Sequence, residues 1–423
     1  MPCSARSPPE PGAPVQNQAN SAGALAGLRV IDLTQMLAGP FCTQILADHG
    51  ADVIKVEAIT GDGTRVTGPF CADDTLRDFG GYFQSVNRNK RSIALDLKSE
   101  EGRAIVRQLI DQADIVVENF RAGVMERLGL SWETLRETNP RLVYGTVRGF
   151  GDPRSGESPY AQWPAYDVVS QAMGGMMGIT GPDRHTPTKI GPGVGDTVPA
   201  LMLCIGILAA VHRARATGQG QFVDVAMTDA VLAMCERIVY QTSYTGEVPG
   251  PEGNRHPLLC PFGLFRARDG QVSIACATDA FWEKLAVAIG RPDMAHDPDF
   301  ATNAARACNQ QRVIDAIEAF TAVRTKEEIA AVLGGKVPFG PVYTSAEIFA
   351  DPHYAVREML VEVEQPGSAT PVRIAGVPVK LSETPGAVRQ RAPLLGEHTD
   401  ALLLAAGYAD SDIRRLREAG VVK

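Results

Sequence analysis

The stretch KIGPGVGDTVPALMLCIGILAAVHRARATG, residues 189–218, decides how the rest of the chain is interpreted. It opens with alternating glycines, which favour an irregular turn, and continues with an apolar run long enough for about five helical turns. Pro199 lies near the start of that run and Gly218 at its end, where these residue types are common in helices. The pattern therefore predicts a long buried helix with Asp196 as its N-cap.

Two interpretations of Asp196 are open from these residues. Asp is a common N-cap, so a purely structural role is the simpler one. Alternatively, the carboxylate is a nucleophile. The partial positive charge of a helix N-terminus favours the anion, so we would expect the group to stay ionised in a partly closed site. Nearby backbone amides would then stabilise the charge that develops on a reacting oxygen.

The composition is ordinary for a soluble globular protein, since 44% of the 423 residues are hydrophobic and 21% are charged. This length predicts two domains. The formal net charge of −8 argues against nucleic acid or an anionic membrane surface as a partner, so an anionic ligand would need a local basic pocket. The most apolar run, at 198–211, is too short to span a membrane.

The cysteines and histidines show no metal-binding spacing. The eight cysteines include no CxxC pair and the seven histidines no HExxH, so we expect free thiols in a reducing, cytoplasmic compartment and no protein-bound metal. Residues 1–24 are rich in Pro, Ala, Ser and Gln and lack the basic start and apolar core of a secretory signal. We interpret them as a disordered N-terminal tail.

Strands and helices alternate from residue 28 onward. We expect strands at 29–33, 52–57, 90–97, 114–119, 142–147 and 221–227, and helices at 39–50, 99–111, 131–137 and 228–240. Short β–α–β connections require parallel pairing, which predicts an α/β fold with an open sheet and ligands at the carboxyl ends of its strands. After residue 242 we expect a smaller α+β part, with strands within 262–277 and helices at 280–289, 311–321 and 326–333. The chain then returns through 337–343, a strand at 372–379 and a helix at 399–407.

Common nucleotide and hydrolase motifs are missing, because the chain has no Walker A or GxSxG sequence and GPGVGD has the wrong spacing for a dinucleotide fingerprint. Five long segments nevertheless closely resemble the class III coenzyme A transferases, the CaiB/BaiF family of formyl-CoA transferase. They are GLRVIDLTQMLAGPFCTQILADHGADVIKVE (27–57), NRNKRSIALDLKSEEG (87–102), ADIVVENFRAGVMERLGL (113–130), GDTVPALMLCIGILAAVHRARATGQGQFVDVAM (195–227) and RAPLLGEHTDALL (391–403).

The resemblance implies a Rossmann-like large domain formed by both chain ends, a small α+β domain between them, and a homodimer of two interlocked, ring-shaped subunits. On this chain we expect the tail at 1–24 and the first part of the large CoA-binding domain at 25–228. A linker and the small domain would follow at 229–325, and a C-terminal return that completes the large domain at 326–423.

The resemblance also implies the chemistry. Asp196 matches the catalytic nucleophile, which attacks an acyl-CoA thioester and passes CoA to a free carboxylic acid through an anhydride and an aspartyl-CoA thioester. Acyl-CoA and a small carboxylic acid are the expected partners, and no permanently bound cofactor is needed.

The family's CoA contacts match a set of residues spread over several motifs, and further matches line its acyl pocket. Cations in the set would face the phosphates, and apolar members the adenine and pantetheine. The CoA contacts are Leu37, Ala38, Ala58, Leu95, Asp96, Leu97, Lys98, Asn119, Phe120, Arg121, Arg127 and Met227, and the acyl-pocket residues are Tyr82, Tyr166 and Asp167.

Departures from the formyl-CoA enzyme argue against oxalate as the acceptor. That enzyme has glutamine at the position of Leu37, glutamate at that of Asp167, and a tetraglycine loop missing here. The segments YDVVSQAMGGMMGITG and NRHP resemble the succinyl-CoA-dependent branch, so we expect short dicarboxylates such as succinate, itaconate or mesaconate. Guanidinium groups in loops could hold a distal carboxylate, and the candidates are Arg65, Arg88 and Arg255.

Two alternatives are weighed against CoA transfer. The racemase branch of the family epimerises 2-methylacyl-CoA with a histidine acid/base where this chain has Tyr166, and a tyrosine with a pKa of about 10 is a poor base at neutral pH. A catalytically inactive CoA-binding protein is the other alternative, against which the retained Asp196 argues.

Overall fold

The computed structural model describes residues 23–423, so the predicted tail at 1–24 lies, apart from its last two residues, outside the described residues. The chain divides into two compact units. The first comprises the described residues up to Ser170 together with Gly193–Val231 and Ala355–Lys423, and the second comprises Gln171–Pro192 and Leu232–Tyr354.

A six-stranded parallel sheet forms the centre of the first unit. Its strands are β1 (Arg29–Asp32), β2 (Asp52–Glu57), β3 (Lys90–Ala94), β4 (Ile115–Glu118), β5 (Val143–Arg148) and β6 (Phe222–Ala226). The order across the sheet is β3-β2-β1-β4-β5-β6, the order of a Rossmann sheet. In the register, Val30 of β1 faces Val53 of β2 and Ile115 of β4.

Helices connect these strands. They are α1 (Ala38–Asp48), α2 (Gly81–Asn87), α3 (Glu100–Asp111), α4 (Val124–Arg127), α5 (Trp132–Thr138), α6 (Asp167–Met173), α7 (Val194–Thr217) and α8 (Met227–Met234). Serine N-caps begin two of them. The Ser99 hydroxyl accepts the Gly102 N–H at the start of α3, and the Ser131 hydroxyl accepts the Thr134 N–H at the start of α5.

The second unit is an α+β structure around a three-stranded antiparallel sheet in the order β7-β8-β9. Its elements are α9 (Glu236–Thr245), β7 (Phe262–Ala267), β8 (Gly270–Ala275), α10 (Asp279–Ala288), α11 (Asn303–Cys308), α12 (Gln310–Thr321), α13 (Lys326–Leu333), β9 (Phe339–Pro341) and α14 (Ser345–Ala350). Helix α15 (Pro352–Val356) follows at the boundary between the units. The elements after it belong to the first unit and are β10 (Leu360–Val363), β11 (Val372–Ala375), α16 (Thr399–Ala405) and α17 (Asp410–Glu418).

Hydrophobic clusters cover both faces of the six-stranded sheet, because alternate residues of each strand point to opposite faces. On one face the sheet packs against α3, α16 and α17 through side chains such as Ile105, Leu402 and Ile413. On the other it packs against α1 and α7 through side chains such as Leu46 and Ile207. The C-terminal helices thus belong to the core of the first unit.

Helix α7 is longer than the apolar run that the sequence suggested. By length and composition alone its 24 residues could cross a membrane, but 44% of its most apolar window is buried inside the protein. Leu203 and Ile207 are fully buried against the sheet and α1. Such burial is typical of a core helix in a globular unit.

The predicted N-cap at Asp196 is wrong. The helix begins at Val194 after an N-cap at Gly193, and the Asp196 N–H donates to the Gly193 carbonyl oxygen at 3.1 Å. Glycine is tolerated at an N-cap, so the helix begins three residues nearer the N-terminus than an N-cap at Asp196 would place it. Asp196 therefore lies within the first turn.

The boundaries of the two units also differ from the predicted domain boundaries, which placed the small domain at 229–325 and the C-terminal return at 326–423. Ile329 and Leu333 of α13 lie in the core of the second unit, and β9 pairs with β8, so this unit continues to Tyr354. Gln171–Pro192 belongs to it as well. Locally, the helix predicted at 228–240 is split into α8 and α9. The elements that were not predicted are α2, α4, α6, α11, α14, α15, α17 and β10.

Candidate active site

The carboxyl edge of the parallel sheet carries the candidate site. The strand order runs outward in one direction from β1 to β3 and in the other from β4 to β6, so the direction of the chain reverses between β1 and β4. In open α/β sheets, this switch point leaves a crevice in which ligands bind.

Two adjoining cavities lie along this edge. The cavity that contains Asp196, of about 390 Å³, is here called the Asp196 cavity, and it is lined by residues 35–38, Tyr82, 119–122, Val124, 147–150, Ala161, 163–166, Asp196 and Met227. The Lys98 cavity, of about 550 Å³, is lined by residues 33–35, 56–62, 95–98, Phe120, Val124, Leu128 and Gly420. Gln35, Phe120 and Val124 line both, so the two cavities adjoin at these residues, and together they are called the crevice.

Most of the predicted site residues meet in this crevice. Those in the Asp196 cavity are Leu37, Ala38, Tyr82, Asn119, Phe120, Arg121, Tyr166, Asp196 and Met227. Those in the Lys98 cavity are Ala58, Leu95, Asp96, Leu97, Lys98 and again Phe120. Asp167 and Arg127 line neither cavity.

Asp167 lies directly behind the nucleophile candidate. Its carboxylate accepts the Gly195 N–H at 2.8 Å. A Cβ atom on Gly195 would come within 2.5 Å of the Asp167 carbonyl oxygen, so only glycine permits this close approach of α6 to α7. Asp167 thus sets the electrostatic surroundings of Asp196 from outside the cavity.

The carboxyl group of Asp196 is not fully ionised at neutral pH. Burial first, and the negative charge of Asp167 second, raise its pKa from 3.8 to about 7. This differs from the expectation that the helix N-terminus would keep the group ionised, because desolvation and a like charge outweigh the helix dipole here. A carboxylate with such a pKa can switch between protonated and nucleophilic forms near neutral pH.

The backbone amides around Asp196 are occupied. The Gly195 N–H donates to Asp167, and the N–H groups of Asp196 and Thr197 donate to the Gly193 carbonyl oxygen. The Tyr82 hydroxyl is the better donor in the cavity. Burial, followed by the charge of Asp196, raises its pKa to about 12, so it remains protonated.

Two of the three arginines proposed for a distal carboxylate already form ion pairs with carboxylates of the protein. Arg65 makes a two-bond ion pair with Glu57, at 2.7 Å for both bonds. Arg88 makes one with Asp48, at 2.9 and 2.7 Å. Arg255, in the second unit, donates to the side-chain oxygens of Gln310 and Gln311 at 3.4 and 3.3 Å. Both buried ion pairs argue against ligand binding by Arg65 and Arg88.

Several lining residues were missed by the sequence analysis. Arg148, Gly149 and Phe150 follow from the end of β5, and a rule that strand ends face the ligand could have found them. Trp163 packs on Phe150 and Tyr160 in the loop before α6, with ring centroids 6.4 and 4.8 Å apart. Nothing in the local pattern marked that loop as part of the cavity.

A crevice at a switch point, with exposed cations in both cavities and a carboxyl group of raised pKa, is typical of a ligand-binding α/β protein. Comparison with known proteins identifies the family. The model of CoA-transferase family III matches residues 25–399, so the chain belongs to that family and is a CoA-transferase.

The relatives carry more specific names. Succinyl-CoA:mesaconate CoA-transferase of Haloarcula hispanica is 50% identical over 386 residues, covering 91% of this chain and 97% of the relative. Succinyl-CoA–D-citramalate CoA-transferase of Chloroflexus aurantiacus is 36% identical over 410 residues, covering 94% and 98%. The crystal structure of a CaiB/BaiF family protein from Brucella suis has a TM-score of 0.80 at 36% identity, covering 91% and 100%.

Proposed function

We propose that this chain transfers CoA from succinyl-CoA to a C5 dicarboxylate of the mesaconate type, with Asp196 as the nucleophile. The observation that carries the proposal is the position of Asp196, whose carboxyl group lines a cavity at the switch point and has a pKa near neutrality. The 50% identity to a succinyl-CoA:mesaconate CoA-transferase supports the choice of substrates.

The first half-reaction forms the aspartyl thioester. An Asp196 carboxylate oxygen attacks the thioester carbonyl of succinyl-CoA, the C–S bond breaks, and CoA leaves as a thiolate. The thiolate then attacks the Asp196 carbonyl of the resulting mixed anhydride and releases succinate. CoA is now bonded to Asp196.

The second half-reaction repeats these steps with the acceptor. The acceptor carboxylate attacks the aspartyl thioester, CoA leaves again, and a new anhydride forms. The thiolate attacks the acceptor's acyl carbon, which yields the new acyl-CoA and restores the Asp196 carboxylate. No net proton or redox change occurs, so the cycle needs no cofactor.

Tyr82 and Asp167 have supporting roles in this proposal. The protonated Tyr82 hydroxyl donates to the oxyanion of each tetrahedral intermediate. The charge of Asp167 raises the pKa of Asp196, which makes the ionised carboxylate a stronger nucleophile.

CoA itself is proposed to lie along both cavities of the crevice. Lys98 and Arg121 are exposed and line different cavities, so they can neutralise separate phosphates. Apolar side chains, Leu95 and Leu97 in the Lys98 cavity and Met227 in the Asp196 cavity, would contact the adenine and the pantetheine arm.

A homodimer of interlocked subunits is also proposed. An apolar stripe on the exposed side of α7 supports it, since Leu201, Ile205 and Leu208 are 48%, 68% and 37% exposed. Such exposed apolar surface is typical of an interface. Analytical ultracentrifugation should give a dimer at sub-micromolar concentration, and a stable monomer would refute the proposal.

The decisive experiment compares Asp196→Asn and Asp196→Ala with wild type. Product CoA esters are quantified by mass spectrometry after incubation with succinyl-CoA and a panel of acids, and CoA binding is measured by calorimetry. Both variants should lose transfer by several orders of magnitude while binding CoA nearly as wild type does. Hydroxylamine should inactivate wild type during turnover by trapping the aspartyl thioester. Near-normal transfer by Asp196→Asn, free of deamidated protein, would end the proposal.

A further inference from the structure

The loop that follows β4 lies where the two cavities join, and buried charges hold its backbone. Glu118 is the last residue of β4 and is fully buried, and its carboxylate accepts the Phe120 N–H at 2.7 Å. Arg148 is the last residue of β5, and its Nε donates to the Phe120 carbonyl oxygen at 2.9 Å. Both backbone polar groups of Phe120 are thus held by charged side chains.

The two charged groups are also bonded to each other. Arg148 Nη2 donates to Glu118 Oε1 at 2.7 Å, and Nη1 pairs with the carboxylate of Asp152. The Asp152 N–H in turn donates to both carboxylate oxygens of Asp224 near the end of β6, at 3.0 and 3.1 Å. The network therefore spans the ends of three neighbouring strands, β4, β5 and β6.

Arg148 is fully engaged by the protein although it lines the Asp196 cavity. Its side chain is only 7% exposed, and Nε, Nη1 and Nη2 all donate to protein oxygens. A buried ion pair contributes little net stability, because desolvation of the charges offsets their attraction. What it supplies is a defined geometry, and here that geometry belongs to the loop.

Asn119, next in the loop, ties it to the other side of the crevice. Its side-chain oxygen accepts the Gln35 N–H at 2.9 Å, and its side-chain nitrogen donates to the Gln35 carbonyl oxygen at 2.8 Å. The loops after β1 and β4 are therefore joined across the switch point. A displacement of the Phe120 backbone would be transmitted to both walls of the crevice.

We propose that Arg148 is a positioning residue for acyl-CoA binding, which acts by holding the backbone of Phe120 so that the loop 119–121 presents Arg121 and the Phe120 side chain to the crevice. The inference rests on the proposed function, because it assigns this crevice to CoA. Arg148 itself need not touch the ligand.

The test uses the full-length chain with Arg148→Lys and Arg148→Met. Lysine keeps the charge but cannot make the three directed bonds, and methionine removes them all. Arg88→Lys is the matched control, because Arg88 is an equally buried arginine with a two-bond carboxylate pair to Asp48 and a bond to the Ala375 carbonyl oxygen, away from both cavities. Melting temperature, kcat, the KM for each substrate and CoA binding are measured for all variants.

Arg148→Met should raise the KM for succinyl-CoA and the Kd for CoA about tenfold, with kcat within about threefold of wild type and the KM for the acceptor acid unchanged. Arg148→Lys should fall in between, and it carries the test if the methionine variant does not fold. Hydrogen exchange of peptides covering 117–122 should accelerate in the ligand-free Arg148 variants and not in Arg88→Lys.

If the Arg148 variants fold and bind CoA with the Kd of wild type, the positioning role of Arg148 is overturned, while the proposed function stands. An equal rise in KM in Arg88→Lys would also overturn that role, because the effect would then come from general destabilisation. Wild type that binds no CoA would instead refute the proposed function.

Discussion

The rate of CoA transfer should rise with pH through about 7 if the ionised carboxylate of Asp196 is the reacting species, as proposed. Burial and the charge of Asp167 raise its pKa from 3.8 to about 7. An acid with that pKa is ionised to roughly one-tenth one unit below it and roughly nine-tenths one unit above it. We therefore expect kcat/KM for succinyl-CoA to increase about tenfold between about pH 6 and about pH 8.

Asp167→Asn tests the origin of this profile. Asparagine can still accept the Gly195 N–H but carries no charge, so the ionised form of Asp196 becomes less unfavourable and the inflection moves to lower pH. The inflection should remain above 3.8, because burial is the larger cause of the shift. The assay is initial-rate kinetics from about pH 5.5 to about pH 9 at constant ionic strength, with Asp111→Asn as the control.

A flat profile in wild type would refute the assignment of the reacting group. An inflection that stays in place in Asp167→Asn, while that variant remains active and folded, would refute the role of Asp167. An equal displacement in Asp111→Asn would show a nonspecific effect of net charge, since Asp111 lies at the end of α3, before the amino end of β4.

Three further predictions concern stability. Because the pKa of Asp196 is raised in the folded protein, ionisation of this group is disfavoured there, and the stability of the fold falls as the pH rises from about 4 to about 7. In differential scanning fluorimetry, Asp196→Asn should therefore have a higher melting temperature than wild type at about pH 8 and the same melting temperature at about pH 4. Gly195→Ala should lower the free energy of unfolding by about 1–3 kcal/mol in a urea titration, because its Cβ would overlap the Asp167 carbonyl oxygen; an unchanged midpoint would contradict that close approach. Ile207→Ala should cost about 2–5 kcal/mol in the same assay, since this fully buried side chain fills the space between α7 and the sheet; a loss below about 1 kcal/mol would contradict that packing.

The sequence predicted the elements of the first sheet well because each signal there is local. Buried parallel strands are short apolar runs, and their helices begin at residues such as Ser99 that cap from one position. Asp196 misled the prediction of the helix start because glycine and aspartate both suit an N-cap, and only the backbone bonds to Gly193 distinguish them.

Partners from distant segments could not be predicted in the same way. Arg65 and Arg88 lie in loop sequence, and nothing near them reveals that Glu57 and Asp48 neutralise them. The same limit applies to Arg148, whose role depends on Glu118, 30 residues earlier in the chain. The carboxyl-edge position of the site was predictable from the β–α alternation, whereas the contribution of the loop before α6 was not.

The placement of Asp196 on α7 bears on how substrate range can diverge in such a fold. The helix is 24 residues long and one of its faces is packed into the core along its length, so a shift of the proposed nucleophile would disturb the whole layer between α1 and the sheet. Sequence change is tolerated far better in the loops at the strand ends, which form the remaining walls of the Asp196 cavity. New acceptor acids are therefore expected to evolve through loop substitutions and insertions around a stationary carboxylate.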